Sequence, residues 1–98
     1  MSNIKNVTVL GTGVLGSQIA YQTAFSGFKV TAYDISDEIL AKAKERFEGL
    51  ASTYQADGVA GAAEGKADAA LTHITYSSEL AAAVADADLV IEAIPEEL

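Results

Sequence analysis

The chain alternates between two hydrophobic rhythms. Short apolar, β-branched runs recur at Ile4–Leu10, Val30–Tyr33, His73–Ser77 and Asp88–Ile94. Longer stretches with apolar residues at helical spacing lie between them. Strand alternating with helix predicts an α/β domain built on a parallel sheet with helices on both faces. The near-continuous apolar character of Ile4–Leu10 suits a central strand covered on both sides. Right-handed crossovers would order the four strands 3-2-1-4.

The helices have readable ends. Val14–Ser26 forms the first, with Leu15, Ile19 and Thr23 and the pair Ala20 and Ala24 expected as its sheet-facing stripe. Gly27 suits the left-handed position that stops a helix, and Phe28 its apolar follower. Ser36 is placed to cap a second helix from Asp37 to about Tyr54, with Asp37 and Glu38 in the first turn. Its apolar face is Ile39, Leu40, Ala43, Phe47 and Leu50, and Gly49 weakens its final turns. Asp57-Gly58 is a turn signal. The alanine-rich Ala62–Leu71 reads either as a short helix or as a mobile loop. Ser78, followed by Glu79, Leu80, Ala83 and Val84, starts the last helix, and Pro95 stops the fourth strand.

One stretch carries chemistry. The first strand ends in Gly11-Thr12-Gly13-Val14-Leu15-Gly16 and runs into a helix, a glycine stop, a second strand and Asp34. This is the order of a dinucleotide-binding βαβ unit. Gly11 allows a sharp turn off the strand, Gly13 allows close approach of a pyrophosphate, and Gly16 allows the helix to pack tightly. The unpaired amides and the dipole of the helix N-terminus make an anion site without a lysine. Asp34 lies 18 residues beyond Gly16 (34 − 16), at the end of the second strand. There a carboxylate can accept hydrogen bonds from both hydroxyls of an adenosine ribose and would repel a 2′-phosphate, which favours NAD over NADP. The crevice between the first and fourth strands is the topological switch point, so Glu92, Ala93, Ile94 and Glu96 become candidate neighbours of the cofactor.

Charge and composition narrow the classes. The net charge is −8 and no cluster of Lys or Arg offers to neutralise phosphates, which argues against nucleic acid and against an anionic membrane surface. Cysteine is absent, so disulfides and cysteine metal sites are excluded, and no metal site is expected. No apolar run approaches the length of a membrane span, and Met1–Lys5 shows no signal-peptide core, so a cytoplasmic protein is expected. At 98 residues the chain is expected to be one small domain, 1–98, with no internal linker.

The run GTGVLGSQIAYQTAFSGFKVTAYDIS resembles the start of 3-hydroxyacyl-CoA dehydrogenases, including the bacterial 3-hydroxybutyryl-CoA dehydrogenases. ADADLVIEAIPEEL resembles their fourth-strand motif, and the long second helix with a helical piece after it is similar to their helical excursion. The resemblance covers essentially the whole chain. It implies an NAD-binding Rossmann domain of an oxidoreductase that interconverts 3-hydroxyacyl-CoA and 3-ketoacyl-CoA by hydride transfer. Carried over by position, Gly11, Gly13, Val14, Leu15 and Gly16 form the pyrophosphate turn, and Asp34 holds the ribose. Ala93 and Ile94 line the crevice, and Glu96 matches a glutamate near the cofactor.

The resemblance also implies what lies elsewhere. The family's catalytic pair, a histidine with a glutamate partner, follows the fourth strand, as does a helical domain for substrate and dimerisation. No catalytic residue is therefore expected within these 98 residues, and His73 reads as a strand-edge residue. The chain is expected to be the N-terminal part of a longer enzyme and inactive alone. Its apolar fourth strand, Leu89–Ile94, invites edge pairing, so a homo-oligomer is expected. Some family members contact CoA through a Ser and a Lys where this sequence has Leu50 and Asp57. A related dehydrogenase of free hydroxy acids, of the gulonate or carnitine type, and a stand-alone nucleotide-binding module are the competing readings.

Overall fold

The computed structural model describes residues 4–58 and 65–93. In chain order the elements are β1 (Asn6–Leu10), α1 (Val14–Phe25), β2 (Lys29–Tyr33), α2 (Asp37–Ala56), α3 (Lys66–Thr72), β3 (Ile74–Ser77), α4 (Leu80–Val84) and β4 (Leu89–Glu92). The strands form one parallel sheet in the order β3-β2-β1-β4. This is the Rossmann-type order that right-handed crossovers require.

Register and pleat decide what each face buries. Val7 pairs with Val30 and Leu89, and Val9 with Ala32 and Ile91, so these side chains share one face. There Val7, Val9, Val30, Ala32 and Ile74 meet Tyr21 of α1 and Phe47 of α2 in the core. The intervening Thr8, Thr31 and Thr75 point to the other face. Thr8 is buried, and its hydroxyl donates to the Ala83 carbonyl of α4 at 2.6 Å. So α1, α2 and α3 cover one face and α4 the other.

The expected stripe of α1 holds at Ala20 and Ala24, which are buried, and at Ile19, which packs against the core, but not at Leu15, which is 62% exposed. The helix also buries Gly16, Ser17, Tyr21 and Phe25. The cause is close approach at the start of the helix, where Gly16 lies against the Gly11 backbone and Leu15 is turned outward. The Tyr21 hydroxyl donates to the Ala67 carbonyl at 2.6 Å and pins α3 against α1. Burial, with Tyr54 and Asp68 nearby, pushes that hydroxyl up to about 12.

Local rules fix the connections. After α1, the Phe28 amide donates to the Thr23 carbonyl and the Gly27 amide to the Ala24 carbonyl, a Schellman stop with Gly27 at φ 105°. A Cβ on Gly27 would meet nothing within 4 Å, so only backbone conformation is at stake there. Gly27→Ala is expected to lower stability by about 1 kcal/mol, read as a reduced urea midpoint at unchanged slope. Ser36 caps α2 by accepting from the Ile39 amide at 3.3 Å. The helix buries Leu40, Ala43, Phe47 and Ala51 and runs to Ala56, slightly past the expected end. The alanine-rich segment is helical from Lys66, and its expected start at Ala62 lies outside the described residues. The last helix begins at Leu80, after Glu79 and later than Ser78, because the Ser77 hydroxyl accepts the Glu79 amide at 3.2 Å and holds the turn. At the far end of the sheet, Asp88 accepts from the Lys5 and Asn6 amides, both at 2.9 Å, and ties the start of β4 to β1. These bonds hold its carboxyl below the usual carboxylate range. Among the described residues no helix is long and apolar enough to cross a membrane.

Candidate functional site

The site forms where β1 and β2 end. Gly11 leaves β1 with φ 101°, a conformation that L residues rarely adopt, and its amide donates to the Tyr33 carbonyl at 2.8 Å. The chain then turns through Thr12 and Gly13 into α1. Gly13 is the N-cap and offers no side-chain acceptor, so the first-turn amides keep their donors for an external anion.

The glycines divide the work between packing and space. A Cβ on Gly16 would lie 2.0 Å from the Gly11 carbonyl oxygen, so α1 can start here only on a glycine. A Cβ on Gly13 would meet nothing within 4 Å, so the face over the turn is open. An open face, unpaired amides and a helix dipole suit the pyrophosphate of a dinucleotide.

Asp34 follows β2 and reaches back to the turn. Its Oδ2 accepts from the Thr12 amide and the Thr12 hydroxyl, both at 2.8 Å, and its Oδ1 accepts from the Ile35 amide at 2.8 Å. Burial alone would raise its pKa. The bonds from Ile35 and Thr12 outweigh that and hold the carboxyl below its ordinary 3.8. Asp34 is therefore an anion at neutral pH, fixed against the turn.

Three residues of this arrangement are invisible in the glycine pattern. Thr12 is 1% exposed. Its carbonyl accepts from the Ser17 hydroxyl at 2.8 Å and from Arg46 Nη1 of α2 at 3.2 Å. Ser17 gave no signal of its own, since its burial and its bond to Thr12 exist only once α1 packs at the turn. Arg46 gave no signal, since its contact spans 34 residues.

The other expected residues fall as follows. Val14 and Leu15 lie in the first turn of α1 with exposed side chains, 66% and 62%. Ala93 comes to the turn: its amide donates to the Leu10 carbonyl at 2.8 Å, and its Cβ faces Gly16. Glu92 pairs with Leu10 at the end of β4. Ile94 and Glu96 lie outside the described residues. His73 precedes β3, at the opposite end of the parallel sheet from the glycine turn, and its backbone carbonyl accepts from Val30.

A model of the 3-hydroxyacyl-CoA dehydrogenase NAD-binding domain matches residues 6–98. The chain belongs to this family. Its cofactor is NAD. A probable 3-hydroxyacyl-CoA dehydrogenase of Caenorhabditis elegans is 36% identical over 101 residues, covering 100% of this chain and 34% of that protein. An L-carnitine dehydrogenase of Bacillus cereus is 35% identical over 95 residues, covering 97% of this chain and 27% of that one. Among solved structures, a diketoreductase described as catalysing dicarbonyl compounds is 67% identical with a TM-score of 0.93, over 99% of this chain and 34% of that one. The 3-hydroxybutyryl-CoA dehydrogenase of Escherichia coli K12 is 32% identical with a TM-score of 0.83, over 98% and 20%. The chain thus spans about a third of the length of the first relatives it matches.

Proposed function

We propose that this chain is the cofactor-binding part of an NAD-dependent oxidoreductase that interconverts 3-hydroxyacyl-CoA and 3-ketoacyl-CoA. The observation that carries the reading is the Asp34 carboxylate hydrogen-bonded to a glycine turn that opens α1. In this reading Gly11, Gly13, Val14, Leu15 and Gly16 cradle the pyrophosphate. Asp34 accepts the ribose hydroxyls, and Ala93 borders the crevice at the start of α1. Bound NAD supplies the hydride acceptor. The residues of this chain bind and orient it, and the general base with its orienting carboxylate comes from beyond β4. In this reading the chain alone does not turn over substrate. β4 lies at the edge of the sheet with Leu89 and Val90 exposed, which supports pairing of that edge with a further strand or a second copy.

A second reading keeps the cofactor and changes the substrate to a free hydroxy acid or dicarbonyl compound. Two features favour it: Leu50 and Asp57 stand where some family members hold CoA with Ser and Lys, and the diketoreductase is 67% identical. Assay of the full-length protein with 3-hydroxybutyryl-CoA, free 3-hydroxybutyrate and a dicarbonyl compound separates the two. A kcat/KM highest for the thioester supports the first reading, and one highest for a substrate without CoA supports the second. Failure to bind NADH in calorimetry overturns both.

A further inference from the structure

We propose that Thr12 is a positioning residue for cofactor discrimination: it locks the Asp34 carboxylate against the glycine turn and so sharpens the preference for NAD over NADP. The inference rests on the assignment of Asp34 to the adenosine ribose. It concerns a position that the G-x-G-x-x-G pattern leaves free.

The geometry is that of a clamp. One oxygen of Asp34, Oδ2, takes two donors from a single residue, the amide and the hydroxyl of Thr12, both at 2.8 Å. The other oxygen takes the Ile35 amide. Three donors from two segments set the position and the plane of the carboxylate. Thr12 itself cannot drift, because its carbonyl is held by Ser17 of α1 and by Arg46 of α2. All three polar atoms of Thr12 are thus committed, and its burial shields those bonds from competing water.

Locking matters for discrimination. A carboxylate free to rotate can swing away from a 2′-phosphate and let water screen the repulsion. A fixed carboxylate keeps its one remaining acceptor site, on Oδ1, toward the vicinal hydroxyls and its charge on the 2′ position. The amide of residue 12 would be present with any amino acid there. The hydroxyl is what this chain adds, and it is the third of the three donors.

The test uses Thr12→Val and Thr12→Ser in the full-length protein, with NADH and NADPH affinities from calorimetry and the Asp34 carboxyl followed by carbon NMR without cofactor. Loss of a hydrogen bond to a charged group predicts that Thr12→Val reduces the NADH-over-NADPH preference about tenfold. The Asp34 titration midpoint should rise in that variant, and Thr12→Ser should restore both. Arg46→Met should change the preference in the same direction by less. Should Thr12→Val fail to fold, Thr12→Ala reads the same quantities without placing a methyl against the carboxylate. A preference and a midpoint unchanged in the variants lacking the hydroxyl would overturn the proposal. The wild type and Asp34→Ala make the two failures distinguishable. If the wild type prefers NADH and Asp34→Ala loses that preference while the Thr12 variants do not, only the clamp falls. If Asp34→Ala keeps the preference, the ribose assignment falls and the clamp with it.

Discussion

Gly16→Ala is expected to destabilise the protein by about 3 kcal/mol or more and to abolish NAD binding. The added Cβ would lie 2.0 Å from the Gly11 carbonyl oxygen and 2.8 Å from its carbon. Both atoms are backbone, so no side chain can rotate away. Gly11 cannot yield either, because its amide is bonded to Tyr33 and its φ is already 101°. Relief requires α1 to lift from the end of β1, which separates Ala20, Ala24 and Tyr21 from the core that they share with Val7 and Val9. Urea unfolding should show the lost stability, and NADH calorimetry the lost binding. Gly13→Ala is the matched control. Its Cβ would meet nothing within 4 Å and its φ is −67°, so the unliganded protein should keep its stability to within about 0.5 kcal/mol. NADH binding should still fall, since the methyl would occupy the space assigned to the pyrophosphate. A Gly16→Ala protein as stable as wild type would show that the turn is not the rigid seat described above.

Asp34→Ala is expected to weaken NADH binding about 100-fold. A hydrogen bond from the ribose to a charged acceptor is lost, worth up to roughly 3 kcal/mol, and 1.4 kcal/mol is tenfold in affinity. The variant also leaves the buried Thr12 amide and hydroxyl without their acceptor, which should cost about 1–3 kcal/mol of folding stability. The wild-type pH dependence carries a matching signature. The folded Asp34 has a pKa below its ordinary 3.8, so its contribution to stability is fully present above that value. It is lost as pH falls below 3.8 through the folded pKa, where the carboxyl takes up its proton. Asp88 is lowered as well and acts in the same window. Urea midpoints measured between about pH 5 and pH 2 should therefore fall in the wild type and fall less steeply in Asp34→Ala, with the Asp88 share remaining. Equal slopes for the two proteins would mean that Asp34 titrates alike in the folded and unfolded chains, and that its bonds to Thr12 and Ile35 do not hold it as an anion.

Much of the molecule was legible because it follows from short-range rules. A positive φ at Gly11 and Gly27, the cap at Ser36 and the alternation of the strands depend on neighbours a few residues away. The sheet order followed from the handedness of crossovers, and Asp34 came to the turn because parallel strands bring their carboxyl ends to one edge. The match to residues 6–98 of the dehydrogenase domain accords with the same βαβ unit and fourth-strand motif.

The misreadings have two physical origins, one tertiary and one local. Helical spacing on α1 selects Leu15, Ile19 and Thr23 with the pair Ala20 and Ala24, and of these only Leu15 stands exposed. Which face is buried depends on how closely the helix approaches the sheet, and that is set by the backbone contact at Gly16. The later start of α4 has a local cause, the Ser77 hydroxyl bonded to Glu79 two residues on, which competes with a cap at Ser78. What the sequence by itself determined was the order of elements, the glycine turn and the acid at the end of β2, since each is a local conformational requirement. The tertiary structure alone decided that Thr12 ties Asp34 to Ser17 and Arg46, because those groups meet only after β1, β2, α1 and α2 have packed.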